Sequence, residues 1–253
     1  MADVLVEQRM RILIITINRP AARNAIDAEV TRGVAAAMDQ LDERKDLSIG
    51  ILTGAGGTFC AGMDLKAFLR GEQVALPGRG LAGLTQAPPK KPLIAAVEGY
   101  ALAGGFELAL ACDLVVAAEN AKFGIPEVKR GLIAAGGGLL RLPRRIPQNL
   151  AMEYALTGEF FSASDGQRFG LVNRVTPEGG ALDGAVELAE RITANAPLSI
   201  AATKEVIVAS ADWTAEDMWD KQQEINQPVF GSADAREGAS AFAEKRAPVW
   251  RGE

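Results

Sequence analysis

The residues best able to do chemistry lie in Tyr100–Ala111, YALAGGFELALA. Gly104 and Gly105 stand where an apolar strand gives way to a short apolar helix, and that helix carries one charge, Glu107. Glycine lets a backbone come close to a ligand, and the first turn of a helix leaves N–H groups unpaired. The N–H of Gly104 is therefore offered to a developing negative charge. Glu107 follows three residues on, so it shares a helix face with Gly104, about one turn away. Together they make an anion site with a carboxylate beside it. An ordinary strand–helix turn with a solvent-facing glutamate would use the same residues. A second glycine turn, Ala61-Gly62-Met63-Asp64, also enters a helix and offers the N–H of Met63. Two backbone donors aimed at one oxygen form an oxyanion hole, each worth about 3 kcal/mol in the transition state. Spacing alone is equally compatible with two unrelated turns.

The composition narrows the chemistry further. The 253-residue chain has no histidine. That removes Ser-His-Asp and Cys-His catalysis and histidine metal ligands. Proton transfer would fall to carboxylates, lysine, tyrosine, cysteine or water. Gly54-Ala55-Gly56-Gly57-Thr58-Phe59 follows a strand but lacks the third glycine of a dinucleotide loop and the Gly-Lys-Ser/Thr of a phosphate loop. The net charge is −5 with both signs dispersed, so no nucleic-acid face is expected. No apolar run approaches a membrane span, and the first residues lack a signal-peptide layout. Cys60 and Cys112 are the only cysteines, which fits a reducing, cytoplasmic setting. Cys60 reads as an apolar wall residue, since no partner that would activate it is apparent.

These groups need elements to hold them. Val4 to Asn18 reads as two short strands, and Asp27 caps a helix running to Glu43 with Ile26, Val30, Val34, Met38 and Leu41 at helical spacing. Strands are expected at Ser48–Thr53, Lys91–Val97, Asp113–Ala118 and Leu171–Val175, a short helix at Leu65–Leu69, and a surface loop from Gly71 to Gly80. Gly136-Gly137-Gly138 opens a helix with a basic outer side, Arg141, Arg144 and Arg145. Beyond it the pattern is mostly helical: 149–156, 163–169, 181–195, 198–210, 214–226 and 233–245. Strands come in pairs followed by a helix, unlike the strict alternation of a doubly wound sheet. With 48% hydrophobic residues the chain can bury one large core. Residues 1–195 would form it, and 196–253 a helical region used for subunit contacts.

Several stretches in order carry a resemblance. Asn18-Arg19-Pro20 with Asn24-Ala25, GGTFCAGMDLK, GYALAGGFELALACDL, FGIPEVKRGL, LTGEFFSASDGQRFGLVNRV and the tail AFAEKRAP are similar to the crotonase (enoyl-CoA hydratase/isomerase) superfamily over nearly the whole length. The resemblance implies an α/β fold of the ClpP/crotonase-like kind, a spiral of ββα units with a C-terminal helical region for trimerisation. It also implies a homotrimer or dimer of trimers, no cofactor beyond the CoA of the substrate, and no metal. An acyl-CoA thioester would bind with its carbonyl oxygen on the amides matching Met63 and Gly104.

Two glutamates mark hydratases in that family, and both match, Glu107 and Glu127. Hydration of a 2-enoyl thioester needs water deprotonated at Cβ and a proton delivered at Cα. Glu107 is assigned to the water and Glu127 to the Cα proton, which requires a pKa raised by burial or by the charge of Glu107. At the CoA end, Lys66, Arg19 and Arg23 are candidates for the phosphates, and Ala61, Asp64 and Leu65 line the same entrance. Phe242 and Lys245 match a tail position that reaches CoA, sometimes from a neighbouring subunit. After Gly131 the chain departs from the usual proline-glycine and carries Ala134-Ala135, where the Ala135 N–H would support the water. Ala67-Phe68-Leu69 and the loop to Gly80 are expected to form the adjustable side of the acyl pocket. A bulky or polar acyl group, such as a steroid side chain or a carnitine derivative, fits that departure. The rival activities are an enoyl-CoA isomerase, a carnitinyl-CoA dehydratase and a non-catalytic acyl-CoA-binding scaffold.

Overall fold

The computed structural model describes residues 2–253. β1 (Val4–Arg9) and β2 (Ile12–Ile17) form a hairpin, and α1 (Ala28–Glu43) follows. Asp27 caps α1 through its side chain, accepting from the Val30 amide at 2.9 Å, and Val30, Val34, Met38 and Leu41 turn inward as the 3.6-residue period requires. β3 (Ile49–Gly54) leads to the glycine loop and α2 (Leu65–Leu69). A small hairpin, β4 (Ala75–Leu76) and β5 (Gly80–Leu81), stands where a plain loop was expected. Then come β6 (Leu93–Val97), β7 (Tyr100–Leu102) and α3 (Gly104–Ala111). β8 (Leu114–Ala118) and β9 (Lys122–Gly124) precede a 3-10 turn over Pro126–Arg130, α4 (Gly138–Arg145) and α5 (Gln148–Thr157). β10 (Phe161–Ser162), α6 (Ala163–Phe169), β11 (Arg174–Thr176) and α7 (Ala181–Thr193) complete the core. α8 (Pro197–Ala209), α9 (Met218–Phe230) and α10 (Ala233–Glu244) form the tail.

The main sheet has the order β1-β2-β3-β6-β8-β11, parallel except for the β1 hairpin. β2 is apolar at every position but Thr16 because both of its faces are buried. Leu13, Ile15 and Ile17 enter the larger core, while Ile12 and Ile14 face the other way. On that second face Ala181, Ala185 and Ala189 of α7 lie one turn apart, and their small side chains let the helix sit close to the sheet.

A second layer runs beside the first. β7 pairs in parallel with β9, and β9 pairs with β10. Single bridges extend the layer backwards, from Ala101 to Cys60 and from Met63 to Ile26. Each turn of chain therefore gives one strand to the main sheet, one short extended piece to the second layer, and then a helix. This is the ββα spiral in physical terms. It stacks equivalent positions of successive turns on one another. Met63, Gly104 and Glu127 all follow second-layer pieces, so the spiral collects them at one end.

Two expected elements lie elsewhere. Leu171 and Val172 are buried just after the left-handed Gly170 that ends α6, and the strand begins only at Arg174. The helix expected from Thr214 starts at Met218, because the Thr214 amide bonds the Asp217 carboxylate at 2.9 Å and closes a turn ahead of it.

Candidate active site

Helix α3 starts at a strained residue. Ala103 has φ 51° and ψ −128°, a conformation that favours glycine. Its amide donates to Gly124 O at 2.9 Å, and its carbonyl accepts from Phe106 and Glu107. The chain thus turns abruptly from β7 into α3 and leaves the Gly104 amide at the helix start. Gly105 is required by packing: a Cβ there would lie 2.1 Å from Cys60 O. The aromatic rings of Phe106, Phe123 and Phe161, 5.5–5.7 Å apart, fix the same helix to β9 and β10.

The two glycine turns meet. A Cβ placed on Gly62 would be 3.2 Å from the Gly104 nitrogen, and one placed on Gly104 would be 3.5 Å from the Met63 nitrogen. Among the described residues neither amide donates to a protein acceptor. Leu81 of the β4–β5 hairpin packs over them, 2.8 Å from the Cβ position on Gly104. The turn carrying Met63 is held by Ile26, whose amide donates to Gly62 O and whose carbonyl accepts from Asp64. Buried Asn24 fastens the preceding loop, donating to Ala55 O at 2.8 Å and Thr58 O at 2.6 Å.

Glu107 is not solvent-facing: it is 3% exposed. One oxygen accepts the Gly138 amide at 2.9 Å, and Gly136 lies against the carboxylate, where a Cβ would be 2.5 Å from Oε2. Burial raises its pKa, while the backbone at Gly138 and Gly136 and the charge of Arg141 pull the other way. Glu127, half-buried in the 3-10 turn, is pushed up to about 7 by burial, with the charge of Glu107 adding to the rise. Its Oε2 is buried with no hydrogen-bond partner among the described residues. The two carboxyl groups therefore sense each other, one held by an amide and one with an oxygen unmatched among the described residues. Such a pair can place a water between an ionised acceptor and a protonated donor. The amide that holds Glu107 belongs to Gly138, with Gly136 packed against the carboxylate; in the sequence only the run of three glycines signals them. Ala135 is exposed beside them.

At the CoA side the residues divide. Asp64 caps α2, accepting the amides of Lys66 and Ala67 at 3.0 and 3.1 Å. Arg19 reaches Asp27 at 3.0 Å, Asp64 at 3.1 Å and Asp3 at 3.4 Å, so its charge is matched within the chain. Arg23 is exposed, and its carbonyl accepts the Ala61 amide at 3.0 Å beside the Met63 turn. Lys66 and Leu65 are exposed at the start of α2. Phe242, 88% exposed, and Lys245 lie on and just after α10, with no hydrogen bond or ion pair to the site among the described residues. Cys60 is fully buried and its thiol is pushed up to about 12 by burial, which leaves it an apolar wall. Among the described residues no cluster of three or more metal-binding side chains occurs, and no helix is long and apolar enough to cross a membrane.

Fold and site together define a crotonase-type spiral with paired amides and paired carboxyl groups at one end. The chain belongs to the enoyl-CoA hydratase/isomerase family, whose model matches residues 7–253. It is 62% identical to a crystal structure of enoyl-CoA hydratase EchA1 from Mycobacterium marinum, with a TM-score of 0.99 and complete coverage of both chains. It is 44% identical to enoyl-CoA hydratase EchA19 of Mycobacterium tuberculosis, over 97% of this chain and 95% of that one. It is also 44% identical to carnitinyl-CoA dehydratase of Salmonella typhi, over 95% of each.

Proposed function

We propose that the protein is an enoyl-CoA hydratase that adds water across the double bond of a trans-2-enoyl-CoA to give a 3-hydroxyacyl-CoA. The observation that carries this is the pairing of Glu107 and Glu127 beside two amides that have no protein acceptor among the described residues. The thioester oxygen takes the Met63 and Gly104 amides, which stabilise the enolate that forms as C3 is attacked. Water gives its hydroxyl to C3 and its proton to Glu107. Glu127, protonated up to about pH 7, gives a proton to C2. A proton passed from Glu107 to Glu127 resets the pair. No redox change occurs, so the reaction needs no cofactor beyond the CoA of the substrate. Lys66 and Arg23 contribute at the phosphates.

The protein acts in the cytoplasm, in fatty-acid or related acyl-CoA degradation. It assembles as a trimer or dimer of trimers through its tail, where Trp219, Phe230, Phe242 and Val249 expose large apolar surfaces. A neighbouring subunit would then bring Phe242 and Lys245 to the CoA.

The experiment is loss of the conjugated-thioester absorbance with crotonyl-CoA and longer homologues, with product mass showing a gain of one water. Isomerisation of a 3-enoyl-CoA without water gain, or tight CoA-thioester binding without turnover, overturns the reading. Dehydration of carnitinyl-CoA is a second reading, favoured by the 44% identity to an enzyme of that name.

A further inference from the structure

Helix α3 has a second end. Its first turn carries the Gly104 amide and Glu107. Its last residues, Leu110 and Ala111, lie about 10 Å further along the axis and open onto a different cleft. That cleft measures about 770 Å³, within the range of about 300–1,000 Å³ typical of small-molecule sites. It lies between α3, α4, α8 and the segment 86–90 that leads into β6, and none of Met63, Gly104, Glu107 and Glu127 lines it.

Positive charge gathers there. The chain carries a net −5, yet the cleft is lined by five cations, Lys90, Arg141, Arg144, Arg145 and Lys204, and two carboxylates, Asp113 and Glu205. Asp113 is spent on Lys204 at 2.7 Å. Lys90 reaches Asp42 with its amide and not with its ammonium. Arg144 has one ion pair among the described residues, with exposed Asp212 at 3.8 Å. Arg145 donates to Cys112 O at 2.8 Å and Asp113 O at 3.2 Å, but its Nε is buried without a partner among the described residues. Burial lowers the pKa of Arg141, and the charges of Arg145 and Arg144 press it down further while Glu107 pulls the other way. The three arginines of α4 therefore carry more charge than the carboxylates around them offset, and an anion relieves such crowding.

The other walls are apolar. Pro88, Leu110, Ile207 and Val208 face the same space, and Ile207 and Val208 are 68% and 59% exposed. An inorganic anion would leave them in water, whereas a hydrocarbon would cover them. The planar fork of a guanidinium matches a carboxylate. Arg141 joins this cleft to the carboxyl pair. It lines the cleft, and its charge favours the ionised form of Glu107. Arg141, Glu127 and the Gly138 amide act on Glu107, and of these only Arg141 borders the cleft. An anion beside Arg141 offsets part of its charge, so Glu107 holds a proton more readily.

We propose that this cleft is a second ligand site, separate from the catalytic one, that takes an aliphatic carboxylate of the fatty-acid kind, and that its occupancy is felt at Glu107 through Arg141. The carboxylate sits among Lys90 and the arginines of α4, and the chain lies along Pro88, Ile207 and Val208. The coupling, though not the site, rests on the hydratase reading, so the test reads binding first. Decanoate is titrated calorimetrically into the whole protein saturated with octanoyl-CoA, which keeps the catalytic site filled. It binds at least about tenfold more tightly than decan-1-ol or inorganic phosphate. Arg144→Gln and, separately, Lys90→Gln weaken it about tenfold and leave basal hydration unchanged. In the unsubstituted protein, saturating decanoate moves the acid limb of the kcat profile to higher pH and leaves the alkaline limb where it was. Failure of decanoate to bind the octanoyl-CoA-saturated protein overturns the site, as does an affinity unchanged in both variants. So does a change of sedimenting mass in either variant, which marks the face as a subunit contact. Phosphate binding as tightly as decanoate overturns the fatty-acid chemistry. An unmoved acid limb with decanoate bound overturns the coupling. Decanoate binding that the two variants weaken, with no enoyl-CoA hydrated, leaves the site standing and removes the hydratase reading.

Discussion

The wall around Glu107 and the wall around Glu127 are built differently. Glu107 sits on a fully buried helix, is 3% exposed, and receives the amide of Gly138. Glu127 sits on a 3-10 turn, keeps an oxygen without a partner among the described residues, and borders a groove with several exposed aliphatic side chains. A buried carboxylate held by a backbone amide cannot change position without leaving that donor unmatched. A half-buried carboxyl beside aliphatic residues can lose or gain neighbours at little cost. On the hydratase reading proposed above, the contrast would separate two tasks, with the Glu107 wall fixing the chemistry and the Glu127 wall leaving room for variation.

The strongest blow to this contrast is Glu127→Gln. Losing a general acid typically costs about 10²–10⁴-fold, so kcat for crotonyl-CoA falls by that order while KM changes little. Steady-state kinetics check it, and near-normal kcat would remove Glu127 from proton transfer. Next is Gly136→Ala. The new Cβ would lie 2.5 Å from Glu107 Oε2, the end of a side chain that can move aside. The fold survives but the carboxylate does not stay in place. A misplacement of about 1 Å costs about 10²-fold in kcat, with little change in thermal midpoint. Gly105→Ala is the control, because there the obstacle is the Cys60 backbone at 2.1 Å and the fold itself suffers.

The pH profile sharpens the comparison without large losses. Glu127 is pushed up to about 7, so it is protonated below that value and ionised above it. As the Cα proton donor it should make kcat decline as pH rises through about 7. Glu107 must be ionised to accept from water, so activity also falls at the acid end. The charge of Arg141 favours the ionised form of Glu107. Arg141 also donates to Thr85 O at 2.5 Å. Arg141→Met therefore moves the acid limb to higher pH and leaves the alkaline limb where it was. A uniform loss at every pH would make Arg141 a strut only.

Much of the Glu107 wall was legible in the chain, and less of the other. The Gly104–Glu107 spacing defines a helix face, and Asp27 and Asp64 are ordinary cap residues at strand–helix junctions. The meeting of Met63 with Gly104 is not local. It depends on spiral stacking through the single bridges Ile26–Met63 and Cys60–Ala101. β7, β9 and β10 are two or three residues long, too short for a period of two to register. Arg19 looked like a cation for phosphate. Its three carboxylate partners come from positions 3, 27 and 64, and only folding brings them to it. The groove beyond Glu127 was hidden for the same reason, since its walls come from a turn, a loop and two helices.

The mildest test asks whether the fixed wall needs its strain. Ala103 holds φ 51° and ψ −128°, with its Cβ 2.9 Å from where a side chain on Gly62 would begin. Such a conformation costs a non-glycine residue about 1–3 kcal/mol. Ala103→Gly removes that cost in the folded state. It also gives the unfolded chain more freedom, which takes back about 0.4–1 kcal/mol. The balance is a small net stabilisation, on the order of 1 kcal/mol, visible as a higher midpoint in urea. The alanine confines the Gly104 amide to one direction, whereas glycine permits others. Activity should therefore fall severalfold as stability rises, with the loss in kcat and not in KM. If kcat is unchanged, the aim of the Gly104 amide is set by the packing of α3 on Cys60 and the phenylalanine cluster, and the strain at Ala103 is incidental to the chemistry.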